Sequence, residues 1–305
     1  MASSLTTRLD IVRVPGWDKN PWLVHGFSTR SGGKTTIYRS GAFDLNLGFN
    51  DSDDRQVVAA NRRSFVSAAA EGQEFSGVVT LRQIHSSLIL RVSVADVRES
   101  GVPAVLKGDG LMTGEPGVLL GIQTADCIPI LVADTKNRAV AAFHAGWRGT
   151  VARIVENGVG RMRLEFGSRP EHLIASIGPG IGQCCYAVGE EVRQQFESQF
   201  PYAAELFREV YNSDPVREKY PMLFLNARAP GHGDLGPAMH LDLPEANRRQ
   251  LLAAGLKERA ISLTRLCTGC STDRFFSHRM ERGFTGRMMS IIGIARGKAT
   301  QPPKR

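Results

Sequence analysis

Apolar residues recur at helical spacing in some stretches of the chain and form short unbroken runs in others. Helices are predicted over Asp53–Ala70, where Val57, Val58, Asn61, Phe65 and Val66 share a face, and over Thr150–Phe166, through Val151, Ile154, Val155, Val159 and Met162. A third starts at Gly189-Glu190-Glu191, with Val192, Phe196 and Phe200 at four-residue intervals. A fourth opens at Pro244 and closes near Gly255, burying Leu251 and Leu252. Strands are predicted at Val78–Ile84, Val118–Gln123, Ile128–Ala133, Ala139–Phe143, Leu173–Ile177 and Ser290–Ile294, most of them bounded by Gly, Pro or Asp. Strands and helices alternate irregularly, and one pair of strands reads as a hairpin, so a mixed β-sheet covered by helices is expected: one α/β domain rather than a parallel doubly wound sheet.

That hairpin carries chemistry. Its strands Ile128–Ala133 and Ala139–Phe143 flank the polar Asp134-Thr135-Lys136-Asn137, a turn composition. With Thr135-Lys136 as a two-residue loop, Cys127 would face His144 at about 5 Å between Cα atoms. His85, at the end of the strand Val78–Ile84, is the natural third partner. One thiolate and two imidazoles suit zinc and leave a tetrahedral position open, the pattern of a catalytic metal site. The same Cys127 and His144 also fit a thiol nucleophile and its base, with Asp126 or Asn137 orienting the ring. After His144 comes Gly146-Trp147-Arg148-Gly149-Thr150, a glycine-rich turn at a predicted helix start, where N–H groups and an arginine can hold an anion.

Composition narrows the classes. The 305 residues are 42% hydrophobic and 22% charged, ordinary for a water-soluble globular protein. No apolar run approaches the ~20 residues of a membrane span, and Met1–Leu9 lacks the apolar core of a secretory signal, so a cytoplasmic address and no membrane partner are expected. The net charge of +8 is spread over single arginines, which fits anionic small molecules better than a nucleic-acid groove. Residues 1–15 read as an N-terminal extension, 16–296 as a single domain and 297–305 as a disordered basic tail. Tyr211–Met239, rich in proline and glycine, reads as a surface excursion that shapes one wall of a pocket. Five cysteines point to reduced thiols or metal ligation rather than a secreted disulfide framework. Among them Cys267-Thr268-Gly269-Cys270 is a C-x-x-C that could bind metal or change redox state, whereas Cys184-Cys185 reads as packing. Arginines beside glycines at Arg30, Arg148, Arg282 and Arg287, with Arg279 nearby, are candidates for phosphate or carboxylate contacts.

Ordered motifs run through nearly the whole chain: His25-Gly26-Phe27-Ser28-Thr29-Arg30 with Gly32-Gly33, Asn46-Leu47-Gly48, Asn61-Arg62, Gln83-Ile84-His85, Thr124-Ala125-Asp126-Cys127, His144-Ala145-Gly146-Trp147-Arg148-Gly149, Ile177-Gly178-Pro179, Cys185-Tyr186, Asp242-Leu243 and Phe275-Phe276-Ser277-His278-Arg279. Together they resemble the laccase-domain family, also called multicopper polyphenol oxidase-like or peptidoglycan editing factor, whose members have been assigned purine nucleoside phosphorylase activity. The resemblance implies an α/β sandwich and zinc on His85, Cys127 and His144. It also implies phosphorolysis of adenosine, inosine or S-methyl-5'-thioadenosine, with Arg30, Asn46, Arg62, Arg148 and Arg279 contacting substrate or phosphate. Adenosine deamination by a zinc-activated water is a second implied activity, and a Cys127-dependent amidase acting on peptidoglycan precursors is the alternative. The chain departs from the family pattern at Phe49-Asn50-Asp51 and at Met280 after His278-Arg279. Seven histidines with no His-x-His cannot furnish a four-copper laccase centre, although copper could occupy the Cys/His site, since it outcompetes zinc for most such ligands.

Overall fold

Strand side chains alternate between two faces, and in the longest strands both faces are apolar. The computed structural model, which describes residues 9–98, 102–211 and 237–296, shows why. Two large mixed sheets lie face to face, with helices on their outer sides. One is five-stranded, in the order β1 (Ile11–Val12), β2 (Leu23–Ser28), β15 (Met288–Ile294), β7 (Val118–Thr124), β4 (Gly77–Thr80). The other is six-stranded, in the order β14 (Ile261–Leu263), β10 (Leu173–Ile177), β8 (Ile128–Asp134), β9 (Ala139–Ala145), β6 (Gly110–Thr113), β5 (Ile89–Arg91). β3 (Ser31–Thr35) stands apart, bridged at its ends to Asp44. A small antiparallel sheet joins β11 (Ala187–Val188), β13 (Ala238–Leu241) and β12 (Phe207–Val210). The α/β sandwich with mixed strand directions is therefore present, its strands divided between two facing sheets rather than gathered in one.

The core has one layer for each interface. Leu120, Ile122 and Ile292 of the first sheet meet Leu131, Ala133, Val140 and Ala142 of the second. Their neighbours Leu119 and Ile291 turn the other way and pack on Phe65 and Ala69 of α1 (Arg55–Ala70). Ile130, Val132, Ala141 and Phe143 pack on Val155, Val159 and Met162 of α3 (Ile154–Phe166), Phe196 of α4 (Glu190–Gln199) and Leu251 of α5 (Leu243–Ala253). Each Val, Leu, Ile, Phe or Met among them taken from water contributes about 1.5–3 kcal/mol, so strands buried on both faces fix the stack. The contact of α3 with β9 is close because residue 158 is glycine: a Cβ there would lie 2.2 Å from Phe143 Cζ.

Helix ends follow local chemistry. Asp54 caps α1 by accepting from the Gln56 and Val57 N–H groups, and Asp242 caps α5 by accepting from Glu245 N. The helix predicted over Thr150–Phe166 is instead two: α2 (Trp147–Val151) and α3, separated by Arg153 at φ 56°. Glu156 and Gln199 O hold the Arg153 guanidinium, which lies over the Phe200 ring. The predicted hairpin forms, but in another register. Asp134 pairs with Ala139, and residues 135–138 make the turn. Asp134 Oδ1 accepts from Lys136 N and Asn137 N at 2.9 Å each, and Arg138 takes φ 52°. His144 consequently faces Pro129, and Cys127 lies just before β8 rather than opposite His144. Most of Tyr211–Met239 and the basic tail fall outside the described residues.

Candidate active site

The chain crosses between the two facing sheets at β4 to β5 and again at β7 to β8. His85 sits on the first crossing and Cys127 on the second, while His144 is the penultimate residue of β9, shortly before α2. The strand predicted to reach Ile84 stops at Thr80. Beyond it, Asp109 gathers the backbone of the crossing: its carboxylate accepts from Ile84 N (3.3 Å), His85 N (3.0 Å), Ser86 N (2.6 Å) and Ser86 Oγ (2.7 Å). Gln83 fixes the other side, its amide donating to Gln123 O and accepting from Gln123 N. His85 is thus presented at φ 59° and Asp126, before Cys127, at φ 89°, conformations rare for residues with a Cβ.

These loops bring the predicted triad together. The ligand atoms of His85, Cys127 and His144 lie within 4.8 Å of one another, with Cys127 Sγ 3.9 Å from His85 Nε2 and the imidazoles 5.0 Å apart between centroids. Gly146 makes the room: a Cβ there would lie 3.0 Å from both Cys127 Sγ and His85 Cδ2. His144 Nδ1 is 2.8 Å from Asp109 Oδ1, which directs the opposite nitrogen toward the thiol and His85. A carboxylate behind a ligating imidazole is the support a metal-bound histidine requires, so the donor set fits a tetrahedral ion of the zinc type with one position open. The ring-orienting partner foreseen as Asp126 or Asn137 is Asp109. Asp126 accepts instead from Thr268 Oγ1 (2.6 Å) and Arg279 N (2.7 Å), and Asn137 donates to Phe166 O. Asp109 went unnoticed in the sequence; the only signal is a carboxylate between two glycines, Gly108-Asp109-Gly110, at a strand start.

Charges in the cluster oppose burial. Burial would raise the Cys127 thiol, but the positive His144 ring and hydrogen bonds from both histidines outweigh it and bring the thiol down to about 6. Burial likewise disfavours His144 imidazolium, yet Cys127 thiolate and Asp109 lift it to about 9. Asp109 is buried, which would raise it, but its bonds from His144 and Ser86 bring it down to about 2. Without a metal the cluster is therefore a thiolate–imidazolium pair; a divalent ion would take the place of the ring proton.

The triad forms part of the wall of a pocket of about 680 Å³. Arg62, Arg82, Arg148, Arg279 and Arg287 also line it, against Asp126 as the sole carboxylate among its lining residues, and Phe49, Trp147 and Tyr186 supply aromatic surface. Arg148 stacks on Trp147, Arg279 on Tyr186 and Arg62 on Phe49, with the guanidinium carbons 4.3, 5.2 and 4.3 Å from the ring centroids. Burial lowers Arg62 to about 10, which leaves it cationic at neutral pH. Arg30 and Asn46 do not line the pocket. Arg30 is 1% exposed, paired with Asp44 and Glu281 at 3.0 Å each and lying over Phe276; its cation is fully engaged. Asn46 is buried, accepting from Gly48 N and Arg287 N and donating to Asp53, so it holds the segment that carries Arg287.

A family model described as multi-copper polyphenol oxidoreductase laccase matches residues 24–295. The chain belongs to this family. Purine nucleoside phosphorylase YlmD of Geobacillus stearothermophilus is 36% identical over 275 residues, 88% of this chain and 89% of that protein. Adenosine deaminase RL5, from an unknown prokaryotic organism, is 34% identical over 86% of this chain and 93% of its own length. The crystal structure of Geobacillus stearothermophilus YlmD superposes with a TM-score of 0.78 at 33% identity, covering 95% of this chain and 97% of that one. The family fold thus holds over almost the whole length. Among the described residues no helix is long and apolar enough to cross a membrane.

Proposed function

We propose that this pocket is the active site of a zinc-dependent purine nucleoside phosphorylase, with the ion on His85, Cys127 and His144. The observation that carries the reading is a three-ligand metal cluster with one side open, in a pocket where arginines outnumber carboxylates five to one. Relatives named as purine nucleoside phosphorylase and adenosine deaminase support it. When bound, zinc would supply a Lewis-acid charge that polarises a substrate group or activates a water.

The chain's own residues do the rest. Arg148 and Arg279 flank Tyr186, whose phenol feels both their charges and that of Cys127; this pair is placed to hold phosphate beside the triad. Burial, reinforced by Cys127, raises the Tyr186 phenol, so it stays a neutral hydroxyl donor. Phe49, Trp147 and Tyr186 offer faces for the purine. Phosphorolysis forms a phosphate oxygen–C1′ bond and breaks C1′–N9, the electron pair leaving with the base, which takes up a proton. Fixing the phosphate's approach and neutralising its charge are what the arginines contribute. Reduced thiols in the ligand set favour a cytoplasmic location.

Deamination would use the same cluster on the purine ring, and the resemblance to adenosine deaminase RL5 keeps it as a second reading. The amidase alternative is less favoured, because the relatives are named as purine nucleoside phosphorylases and an adenosine deaminase. The deciding experiment is metal analysis of the purified protein with adenosine turnover, with and without phosphate. Adenine release that needs phosphate and is lost to chelator supports phosphorolysis. Inosine formation without phosphate supports deamination. Turnover that survives chelation but not thiol alkylation would overturn the metal reading.

A further inference from the structure

Four of the five cysteines lie away from the triad and, far apart in sequence, meet in space. Cys184 and Cys185 lie in the loop after β10, and Cys267 and Cys270 in the loop after β14. Parallel pairing of these strands sets the loops side by side, and Gly180 pairs with Cys267 beyond the strand ends. Cys184-Cys185, read as packing, thus lies beside the C-x-x-C.

We infer that Cys184, Cys185, Cys267 and Cys270 form a second metal site, a Cys₄ centre for a single zinc-class ion that clamps the two loops together. All four sulfurs lie within 4.8 Å of one another, with Cys270 Sγ 3.3 Å from Cys184 Sγ and 3.4 Å from Cys185 Sγ. A tetrahedral site with metal–sulfur bonds of about 2.3 Å sets its sulfurs roughly 3.8 Å apart, whereas a disulfide needs about 2.05 Å. Gly182 N donates to Cys267 Sγ at 3.2 Å, the backbone bond that stabilises thiolate. Glycines clear the space: a Cβ at Gly269 would lie 3.0 Å from Cys185 Sγ, and one at Gly182 3.3 Å from Cys184 Sγ. Starting from four thiols, binding breaks four S–H bonds, forms four metal–sulfur bonds and releases four protons to solvent, leaving a centre of charge −2 with no change of oxidation state. Tetrahedral all-sulfur ligation selects zinc or iron among the common ions.

The clamp bears on the pocket through both loops. The first continues into Tyr186, on the pocket wall. The second carries Thr268, whose hydroxyl donates to Asp126, the residue preceding Cys127. The Cys₄ centre is thus a positioning device for the triad and the aromatic wall, distinct from the site that reacts.

Zinc titration of the reduced, chelator-stripped full chain tests this. The wild type should take up about two ions per chain, and His85→Ala/His144→Ala and Cys184→Ser/Cys270→Ser about one each. Cobalt loaded into the histidine variant should show thiolate-to-metal charge-transfer absorption, a readout that does not require the serine variant to fold. A histidine variant that takes up no ion, absence of that absorption, or a Cys184–Cys270 or Cys185–Cys270 disulfide in the freshly purified chain by intact mass would overturn the inference.

Discussion

Asp109→Asn tests the site most directly, because it removes a charge with almost no change of shape. Oδ2 of Asp109 receives two backbone N–H groups and a hydroxyl; Oδ1 receives His85 N and His144 Nδ1. An asparagine must put its NH₂ on one side. Backbone donors cannot reverse, but an imidazole can change tautomer, so the amide nitrogen will turn toward His144. Nδ1 of His144 then becomes the acceptor and the proton moves to Nε2, the nitrogen that must be bare to bind an ion. Losing such a carboxylate behind a ligating histidine costs about 10–100-fold in metal affinity, or ~1.4–2.8 kcal/mol. Replacing charge-assisted bonds by neutral ones should also lower metal-free stability by about 1.5–3 kcal/mol. The pH dependence gives a second signature. Asp109 sits at about 2 in the folded protein against roughly 3.9 unfolded; its contribution is whole above the unfolded value and lost as pH falls toward 2. The variant should lack that part of the acid limb. Competition with a chromophoric chelator, and urea midpoints of the stripped protein between pH 2.5 and 6, read the two effects. A variant that binds zinc as tightly as wild type would refute the assignment of Asp109.

Other substitutions separate site from scaffold. His85→Gly should abolish tight zinc binding and turnover while leaving the stripped protein at least as stable, since glycine relieves the φ of 59°; a fall in stripped-state Tm would count against this. Arg148→Ala and Arg279→Ala should each raise the KM for phosphate by about tenfold or more, the scale of a charge-assisted contact, with zinc content unchanged. Arg30→Ala should instead destabilise by roughly 1.5–3 kcal/mol, because buried Asp44 loses one of its two arginine partners and keeps only the partly exposed Arg39; intact stability with a raised phosphate KM would reverse these roles. In stripped protein, Cys127 alkylation should rise with an apparent pKa near 6, and zinc should suppress it.

The apolar pattern made the helices and longest strands legible, because a strand buried on both faces or a helix with one greasy side repeats at a fixed period. It did not show that the strands form two facing sheets: an apolar run looks the same whether a helix or another sheet covers it. The triad was legible by residue type, although the route to it was partly wrong. Cys127 and His144 meet not as hairpin partners but because a sheet-to-sheet crossing and a strand end converge. Asp134 set the turn and shifted the register, a side-chain bond to backbone that hydrophobic alternation does not encode. Asp109 and the Cys₄ cluster were missed for a related reason. Both depend on loops meeting across strands, and sequence spacing carries no distance between them.

The arginines show where residue type alone stops. Arg30 and Arg148 both lie beside glycines and looked alike as anion ligands. What separates them is counter-charge: Asp44 and Glu281 neutralise Arg30 in the protein interior, whereas Arg148 lies on an aromatic ring at an exposed pocket wall with no ion-pair partner among the described residues. A guanidinium already neutralised by carboxylates in the interior has its capacity to bind phosphate spent on the fold. The cations left to a ligand are those that stacking, rather than a carboxylate, holds in place. In this pocket Arg62, Arg148 and Arg279 are held that way, so anion affinity should depend on Phe49, Trp147 and Tyr186 as well as on the charges. Trp147→Leu should therefore weaken phosphate binding with Arg148 intact, and an unchanged phosphate KM in that variant would show that stacking does not hold the charge.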